Sequence, residues 1–126
     1  MMIEINLELF GAMPTKKNSM KIICRGNRPR LIQSDLYRAY AKEAARQLLP
    51  LGNQFIPGKV EVRCLYWVKD RRKRDLTNLL AATHDILQDN GFIEDDALIV
   101  SVDGSRIEGV DRENPRVSIR IRQVTP

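Results

Sequence analysis

The sequence predicts an α+β fold in which two main helices pack on one mixed β-sheet. Segments near the two ends of the chain, 2–10 and 116–124, alternate apolar and polar residues as half-buried strands do. Two further segments, 34–49 and 76–89, repeat apolar residues at helical spacing. The strongest strand pattern, 59–68, lies between the two helical segments, and this order favours helices packed on a sheet.

The first third of the chain predicts a strand followed by a hairpin. Ile3, Ile5 and Leu7 share one face of the strand at 2–10, with acidic and amide side chains on the other face. A loop follows the strand. Residues 20–32 are then expected to form an irregular hairpin around the turn sequence G-N-R-P.

Both predicted helices have recognisable ends. Ser34 is a suitable N-cap for the first helix, and Pro50 ends that helix. The second helix ends at Asn90 and Gly91, where glycine adopts the left-handed conformation common after helix C-termini. The apolar stripes that should face the sheet are Tyr37, Tyr40, Ala41, Ala44 and Leu48 in the first helix, and Leu76, Leu79, Leu80, Thr83, Ile86 and Leu87 in the second.

The remaining strands are predicted around the second helix. In the strand at 59–68 the alternate residues from Val60 to Val68 share a face, while Leu65 and Trp67 indicate that the other face is also partly covered. A short continuous apolar strand is expected at 97–102. The residues between it and the last strand are interpreted as a polar turn region containing Gly104, Gly109 and Pro115.

Length and composition predict a single domain spanning 1–126. No apolar run approaches the roughly 20 residues that a membrane span needs. The N-terminal segment lacks the apolar core of a signal peptide, which favours a cytoplasmic protein without membrane association. Cys24 and Cys64 lie far apart in the sequence and form no CxxC pair, so both are expected to be free thiols.

The charge is divided unevenly along the chain. Residues 1–74 hold 16 Lys and Arg against 6 Asp and Glu, a balance of +10. Residues 75–126 hold 5 against 10, a balance of −5. A basic half beside an acidic half favours a nucleic-acid partner on one surface and cation binding on another. Scattered charges that only promote solubility are the alternative.

A basic cluster lies directly before the second helix. Four consecutive cations are predicted to bind phosphates of the nucleic-acid backbone: Arg71, Arg72, Lys73 and Arg74. Lys16 and Lys17, in the loop after the first strand, are predicted to bind phosphate as well. The alternative for such a run of charges is a solvated loop without a ligand.

Three carboxylates are candidate metal ligands. Asp75 follows the four cations, which stabilise its ionised form, and Asp95 and Asp96 are adjacent carboxylates whose repulsion a cation would relieve. Clustered carboxylates suit hard cations such as Mg²⁺, with Mn²⁺ as a possible substitute. Asp75 is equally explained as a helix N-cap, and the Asp95–Asp96 pair as an ordinary acidic turn.

Other polar and aromatic residues are interpreted more conservatively. Asn78 and Asp85 fall on one side of the second helix and would orient the metal ligands, or simply form a polar face. His84, the sole histidine, is interpreted as structural or exposed rather than catalytic. The aromatic residues expected to pack in the core, rather than to stack on bases, are Tyr37, Tyr40, Tyr66 and Trp67.

The sequence R-R-K-R-D-L-T-N-L, followed by Asp85 and by G-F-I-E-D-D-A-L-I-V, resembles the signature of RusA-type Holliday junction resolvases. The resemblance covers about residues 64–107, and P-T-K-K-N at 14–18 shows a weaker similarity to the family. It implies a RusA-like fold and a homodimeric, Mg²⁺-dependent endonuclease that nicks four-way DNA junctions in recombination and repair. Such enzymes are often encoded by phages and prophages.

On this resemblance Arg74, Asp75 and Asp96 occupy catalytic positions, and Asn78, Asp85 and Asp95 also match the pattern. Two positions depart from it. Thr77 stands where the family often has a second Asp, and Ala81 where it often has a catalytic Lys. Thr77 retains a hydroxyl that can hold a metal-bound water. The departures leave open a catalytically weakened or inactive DNA-binding homologue as the alternative function.

The predicted second helix, about 14 residues long, spans roughly 20 Å. Asp75 precedes this helix, and Asp95 and Asp96 follow it, so the three carboxylates are expected to lie too far apart to share one ion within a chain. The hypothesis is therefore a composite site in a homodimer. Asp75 of one subunit would meet Asp95 and Asp96 of the other across a two-fold axis.

Overall fold

The computed structural model describes residues 2–14, 20–26 and 28–124. Within these ranges the helices are α1 (Asp35–Leu48) and α2 (Leu76–Asp89), and short 3₁₀ turns occur at Leu49–Leu51 and Asp96–Leu98. The strands are β1 (Glu4–Phe10), β2 (Met20–Arg25), β3 (Arg28–Gln33), β4 (Val60–Val68), β5 (Ile99–Ser101), β6 (Arg106–Val110) and β7 (Arg116–Gln123).

A mixed sheet of five strands forms the centre of the fold. Strand β7 lies between β1 and β4 and is antiparallel to both. The other edge of β4 is shared by two short parallel strands. Strand β5 pairs with the start of β4 at Val60 and Glu61, and β6 pairs with its end from Leu65 to Val68. The predicted α+β class with a mixed sheet and two helices is confirmed.

Strand β6 corrects the prediction of a polar turn region between β5 and β7. Its residues are exposed or half-buried, and its sequence, R-I-E-G-V, includes a glycine and two charges. No apolar alternation indicates a strand there. The segment becomes a strand because the outer edge of β4 offers unpaired backbone groups to it.

The predicted hairpin is confirmed as a separate two-stranded sheet of β2 and β3. Its register pairs Cys24 with Pro29 and Arg25 with Arg28. Asn27, in the predicted turn, lies outside the described residues. Cys24 and Cys64 are both free, as predicted, and burial raises the pKa of the Cys64 thiol to about 12.

The core lies between one face of the sheet and the two helices. Alternate residues of β1, β4 and β7 are buried in a single cluster with apolar residues of α1 and α2. The residues that alternate with them are exposed or half-buried and form what we call the open face of the sheet, which includes Arg63, Leu65 and Trp67 of β4 and Arg116 and Arg120 of β7.

The prediction that the aromatic residues pack in the core is correct for the three tyrosines and wrong for the tryptophan. Tyr37 and Tyr66 are buried, and Tyr40 packs against the core, as predicted. The prediction is wrong for Trp67. This side chain lies half-buried on the open face, where the Arg116 guanidinium is 4.2 Å from the ring centroid. Along a strand, adjacent residues point to opposite faces, so a buried Tyr66 directs Trp67 outward.

Among the helices in the described residues, none is both long and apolar enough to cross a membrane.

A buried hydrogen bond joins the sheet to α2. The hydroxyl oxygen of Tyr66 lies 2.6 Å from Thr83 Oγ1, which in turn donates to the carbonyl oxygen of Leu79 at 2.9 Å. We expect Thr83→Val to destabilise the fold by about 1–3 kcal/mol, because it deprives the buried Tyr66 hydroxyl of this partner. Tyr66→Phe, which leaves Thr83 bonded to Leu79, should cost about 1 kcal/mol. Urea unfolding measures both values, and a Thr83→Val protein as stable as the parent would contradict the expectation.

Candidate active site and nucleic-acid interface

The basic cluster forms the loop that connects β4 to α2. Strand β4 ends at Val68, and Asp75 begins α2, so the cations have no regular structure of their own. Arg71, Arg72 and Lys73 are exposed, and the Arg72 side chain is 85% accessible. These three side chains are exposed to solvent, and their binding of backbone phosphates remains a prediction.

Arg74 differs from the other three cations because its side chain is turned into the loop. Only 14% of that side chain is exposed, and its guanidinium lies 2.6 Å from Asp70 Oδ1. It also donates to the carbonyl oxygens of Asp70 and Arg72, both at 2.9 Å. Hydrogen bonds from Arg74 and then from the Arg72 backbone lower the pKa of Asp70. Arg74 therefore stabilises the loop that presents its neighbours.

Sequence reasoning overlooked Asp70, the acid that holds Arg74. The spacing of four residues between Asp70 and Arg74 would indicate an ion pair within a helix. Here the segment is a loop, so the spacing was not informative. The ion pair exists because the chain folds back between β4 and α2 and brings the two side chains together.

A cavity of about 230 Å³ lies beside the basic cluster. One wall contains Lys69, Arg72, Lys73 and Arg74. The apolar wall is formed by Ala12, Met13, Pro14, Leu36 and Val68. The loop that follows β1 thus approaches the basic cluster in space. Lys16 and Lys17, which follow Pro14 in the sequence, lie outside the described residues.

Asp75 is the N-cap of α2. Its Oδ1 accepts hydrogen bonds from the Thr77 backbone N–H at 3.0 Å and from the Thr77 hydroxyl at 2.6 Å. The capping interpretation is therefore confirmed. Asp75 is exposed, and as the cap it occupies a defined position at the start of α2, directly after the cations.

Asp95 and Asp96 lie beside the last turn of α2. After this helix the chain reverses at Gly91, whose φ is 78°, and the buried Ile93 pairs with Ile56. Asp95 caps the following 3₁₀ turn by accepting from the Ala97 N–H at 2.8 Å. The Asp96 N–H donates to Gln88 Oε1 at 2.9 Å.

Asp75 and Gln88, the residue that Asp96 contacts, lie near opposite ends of α2. Gln88, which contacts Asp96, is thirteen residues beyond Asp75, so about 20 Å of helix axis lies between them. Among the residues that the structure describes, no three His, Cys, Asp or Glu side chains are close enough to hold a metal ion together.

His84 lies on α2 within reach of the charge of Asp96. Burial lowers the pKa of His84 below its ordinary value of 6.5, and the negative charge of Asp96 partly offsets this effect. Its Nε2 is buried without a hydrogen-bond partner. A neutral, half-buried histidine agrees with the structural interpretation made from the sequence.

Three further positions that match or depart from the family pattern also lie on α2. Asn78, Ala81 and Asp85 are all half-buried. Asn78 and Asp85 are seven residues apart and so share one side of the helix. That they orient metal ligands remains a prediction.

A family model described as "Endodeoxyribonuclease RusA" matches residues 12–122. The chain belongs to the RusA family. The match extends from the loop after β1, through the basic cluster and α2, into β7, and it confirms the resemblance seen in the sequence. The RusA family consists of endodeoxyribonucleases. No curated protein sequence gives a significant match to the chain.

Proposed function

We propose that the protein is a homodimeric, Mg²⁺-dependent endonuclease that nicks four-way DNA junctions. The observation that carries this proposal is the position of Asp75. Within a chain of the RusA family, Asp75 is an exposed carboxylate at the start of α2, directly following a loop of exposed cations. This arrangement supports binding of a backbone phosphate next to a candidate metal ligand.

The candidate ligands fit a hard divalent cation. Asp75, Asp95 and Asp96 are exposed carboxylates, and carboxylate oxygens are the side-chain ligands that Mg²⁺ and Mn²⁺ prefer. When bound, such an ion polarises a phosphate and lowers the pKa of water. Arg71, Arg72 and Lys73 would bind the DNA backbone without reading its sequence, and Arg74 would keep their loop in shape.

The distance along α2 supports a composite site. Asp75 is separated by about 20 Å of helix axis from Gln88, the helix residue to which the Asp96 N–H donates, and this is far beyond the length of two metal–oxygen bonds. In the proposed homodimer Asp75 of one subunit meets Asp95 and Asp96 of the other. Two equivalent sites would then cut the two symmetric strands of a junction.

A second candidate function is a DNA-binding homologue with weak or no catalysis. The specific observation in its favour is the Thr77 hydroxyl, which donates to Asp75 where the resembled pattern often has another carboxylate. Ala81 also lacks the charge of the lysine often found at that position.

One assay separates these functions. The protein is incubated with labelled four-way junction, linear duplex and single strand, with and without Mg²⁺. Paired symmetric nicks in the junction that require Mg²⁺ are the expected result. Binding without nicks would support the DNA-binding homologue, and equal cutting of all three substrates would support a general nuclease.

A further inference from the structure

The open face of the sheet contains two arginines directly opposite each other. In the antiparallel pairing of β4 with β7, Arg63 is the partner of Arg120. Directly opposite residues have Cβ atoms about 5 Å apart, and like charges at such positions repel. In the part of the chain that the structure describes, no ion pair joins either arginine to an acid.

The register of the sheet places no acid directly opposite Arg63 or Arg120. Arg122 pairs with Glu4 at 3.2 Å, and Glu61 is its partner in the register of β4. On β1, the residue opposite Arg120 is the neutral Asn6. Arg63 and Arg120 therefore face each other without a directly opposed carboxylate.

The Arg63 side chain is held in place. A Cβ atom added at Gly104 would lie 3.0 Å from Arg63 Cδ, so the turn after β5 packs against the stem of this arginine. The Arg63 Nε is buried and has no hydrogen-bond partner. A guanidinium whose stem is held in one place is suited to an anionic acceptor, which would bond its terminal nitrogens rather than the buried Nε.

A cavity of about 220 Å³ opens at this pair. Its lining includes Arg63, Arg120 and Arg122, together with Ser101 and the acids Glu61 and Asp103. Arg122 of this lining is paired with Glu4, whereas in the described residues no ion pair joins Arg63 or Arg120 to an acid. Because arginine forks match phosphate oxygens, phosphate is the ligand that these two arginines fit best.

We propose that the open face of the sheet is a second phosphate-binding surface, on which Arg63 and Arg120 hold the DNA backbone. Arg63 lies five residues before the end of β4, so about 17 Å of strand separates it from the start of the loop that contains the basic cluster. The protein would thus bind DNA at two separate surfaces, the basic cluster and the open face of the sheet. This inference rests on the proposed function, because it takes the bound polyanion to be DNA.

The test is the salt dependence of junction binding. Fluorescence anisotropy with a labelled four-way junction, in EDTA to prevent cleavage, gives the slope of log affinity against log salt concentration. Each phosphate contact contributes close to one unit to this slope. We expect the double variant Arg63→Gln/Arg120→Gln to lower the slope by about 1–2 units.

Three further variants control this experiment. Lys42→Gln/Arg46→Gln removes the same charge from exposed positions on α1 and should leave the slope unchanged. Arg63→Lys/Arg120→Lys keeps the charge and should preserve most of the slope. Should the glutamine double variant fail to fold, Arg120→Gln alone should still lower the slope by about 1 unit.

Two outcomes would overturn the proposal. An unchanged slope in the folded glutamine variants would remove this face from the DNA interface. Dissociation of a wild-type dimer into monomers in these variants, seen by sedimentation, would make the face a contact between copies of the chain. A wild-type protein that does not bind the junction would instead refute the proposed function itself.

Discussion

Replacing Asp75 or Asp96 by asparagine is expected to lower the rate of junction cleavage by about a thousandfold and to leave junction affinity unchanged. Asparagine keeps the shape of the side chain and removes its charge. It is also as good an N-cap as aspartate, so Asp75→Asn should preserve the start of α2. The expected loss corresponds to about 4 kcal/mol of transition-state stabilisation, within the several kcal/mol that a catalytic metal supplies.

Single-turnover cleavage and anisotropy together measure this effect. Asp89→Asn is the matched control, because Asp89 is an exposed acid at the other end of the same helix. It should cleave at the parental rate. Cleavage retained by Asp75→Asn would exclude Asp75 from the active site, and cleavage retained by Asp96→Asn would exclude Asp96.

Mixing the two inactive variants tests the composite site. In a mixed dimer of Asp75→Asn and Asp96→Asn subunits, one site receives both substitutions and the other receives neither. Random exchange of subunits should then restore about a quarter of the wild-type sites. If both carboxylates of a site came from one chain, no site would be intact and the mixture would stay inactive.

Leu87→Ala is expected to destabilise the protein by about 2–5 kcal/mol. Leu87 is a leucine of α2 with an exposed fraction of 0%, and its truncation removes contacts and leaves a cavity between the helix and the sheet. The loss is large because a domain of this size is stable by only about 5–15 kcal/mol. Urea unfolding followed by Trp67 fluorescence or circular dichroism measures it.

Leu49→Ala is the control for this prediction. Leu49 follows α1 and is 80% exposed, so the same truncation should change the free energy of unfolding by less than about 0.5 kcal/mol. Equal effects of the two substitutions would contradict the assignment of Leu87 to the core. Because α2 connects Asp75 to the Asp95–Asp96 pair, a partly unfolded Leu87→Ala protein should also lose activity.

Helix α2 was predicted correctly from local sequence pattern alone. Its bounds, Leu76 and Asp89, agree with the sequence prediction, because apolar residues at helical spacing, a capping aspartate and a terminal glycine are all local signals. The same holds for the inward residues of β4, whose alternation reflects a half-buried strand. The basic cluster and the acidic pair were recognised from composition and order.

Strand β6 shows what local pattern misses. It has no periodicity of its own and is a strand only because β4, about forty residues earlier in the chain, leaves an edge unpaired. The contact of Trp67 with Arg116 was likewise a consequence of the sheet, because it arises only from the pairing of β4 with β7.

The order of residues alone is enough to identify the residue types of the candidate site, the helix that connects them and the family to which the chain belongs. Only the tertiary structure decided that Arg74 binds Asp70, that Asp96 lies beside Gln88, and that Arg63 faces Arg120. The physical reason is that helix formation and capping depend on neighbours in the sequence. These pairings depend instead on where a turn or a sheet brings distant backbone together.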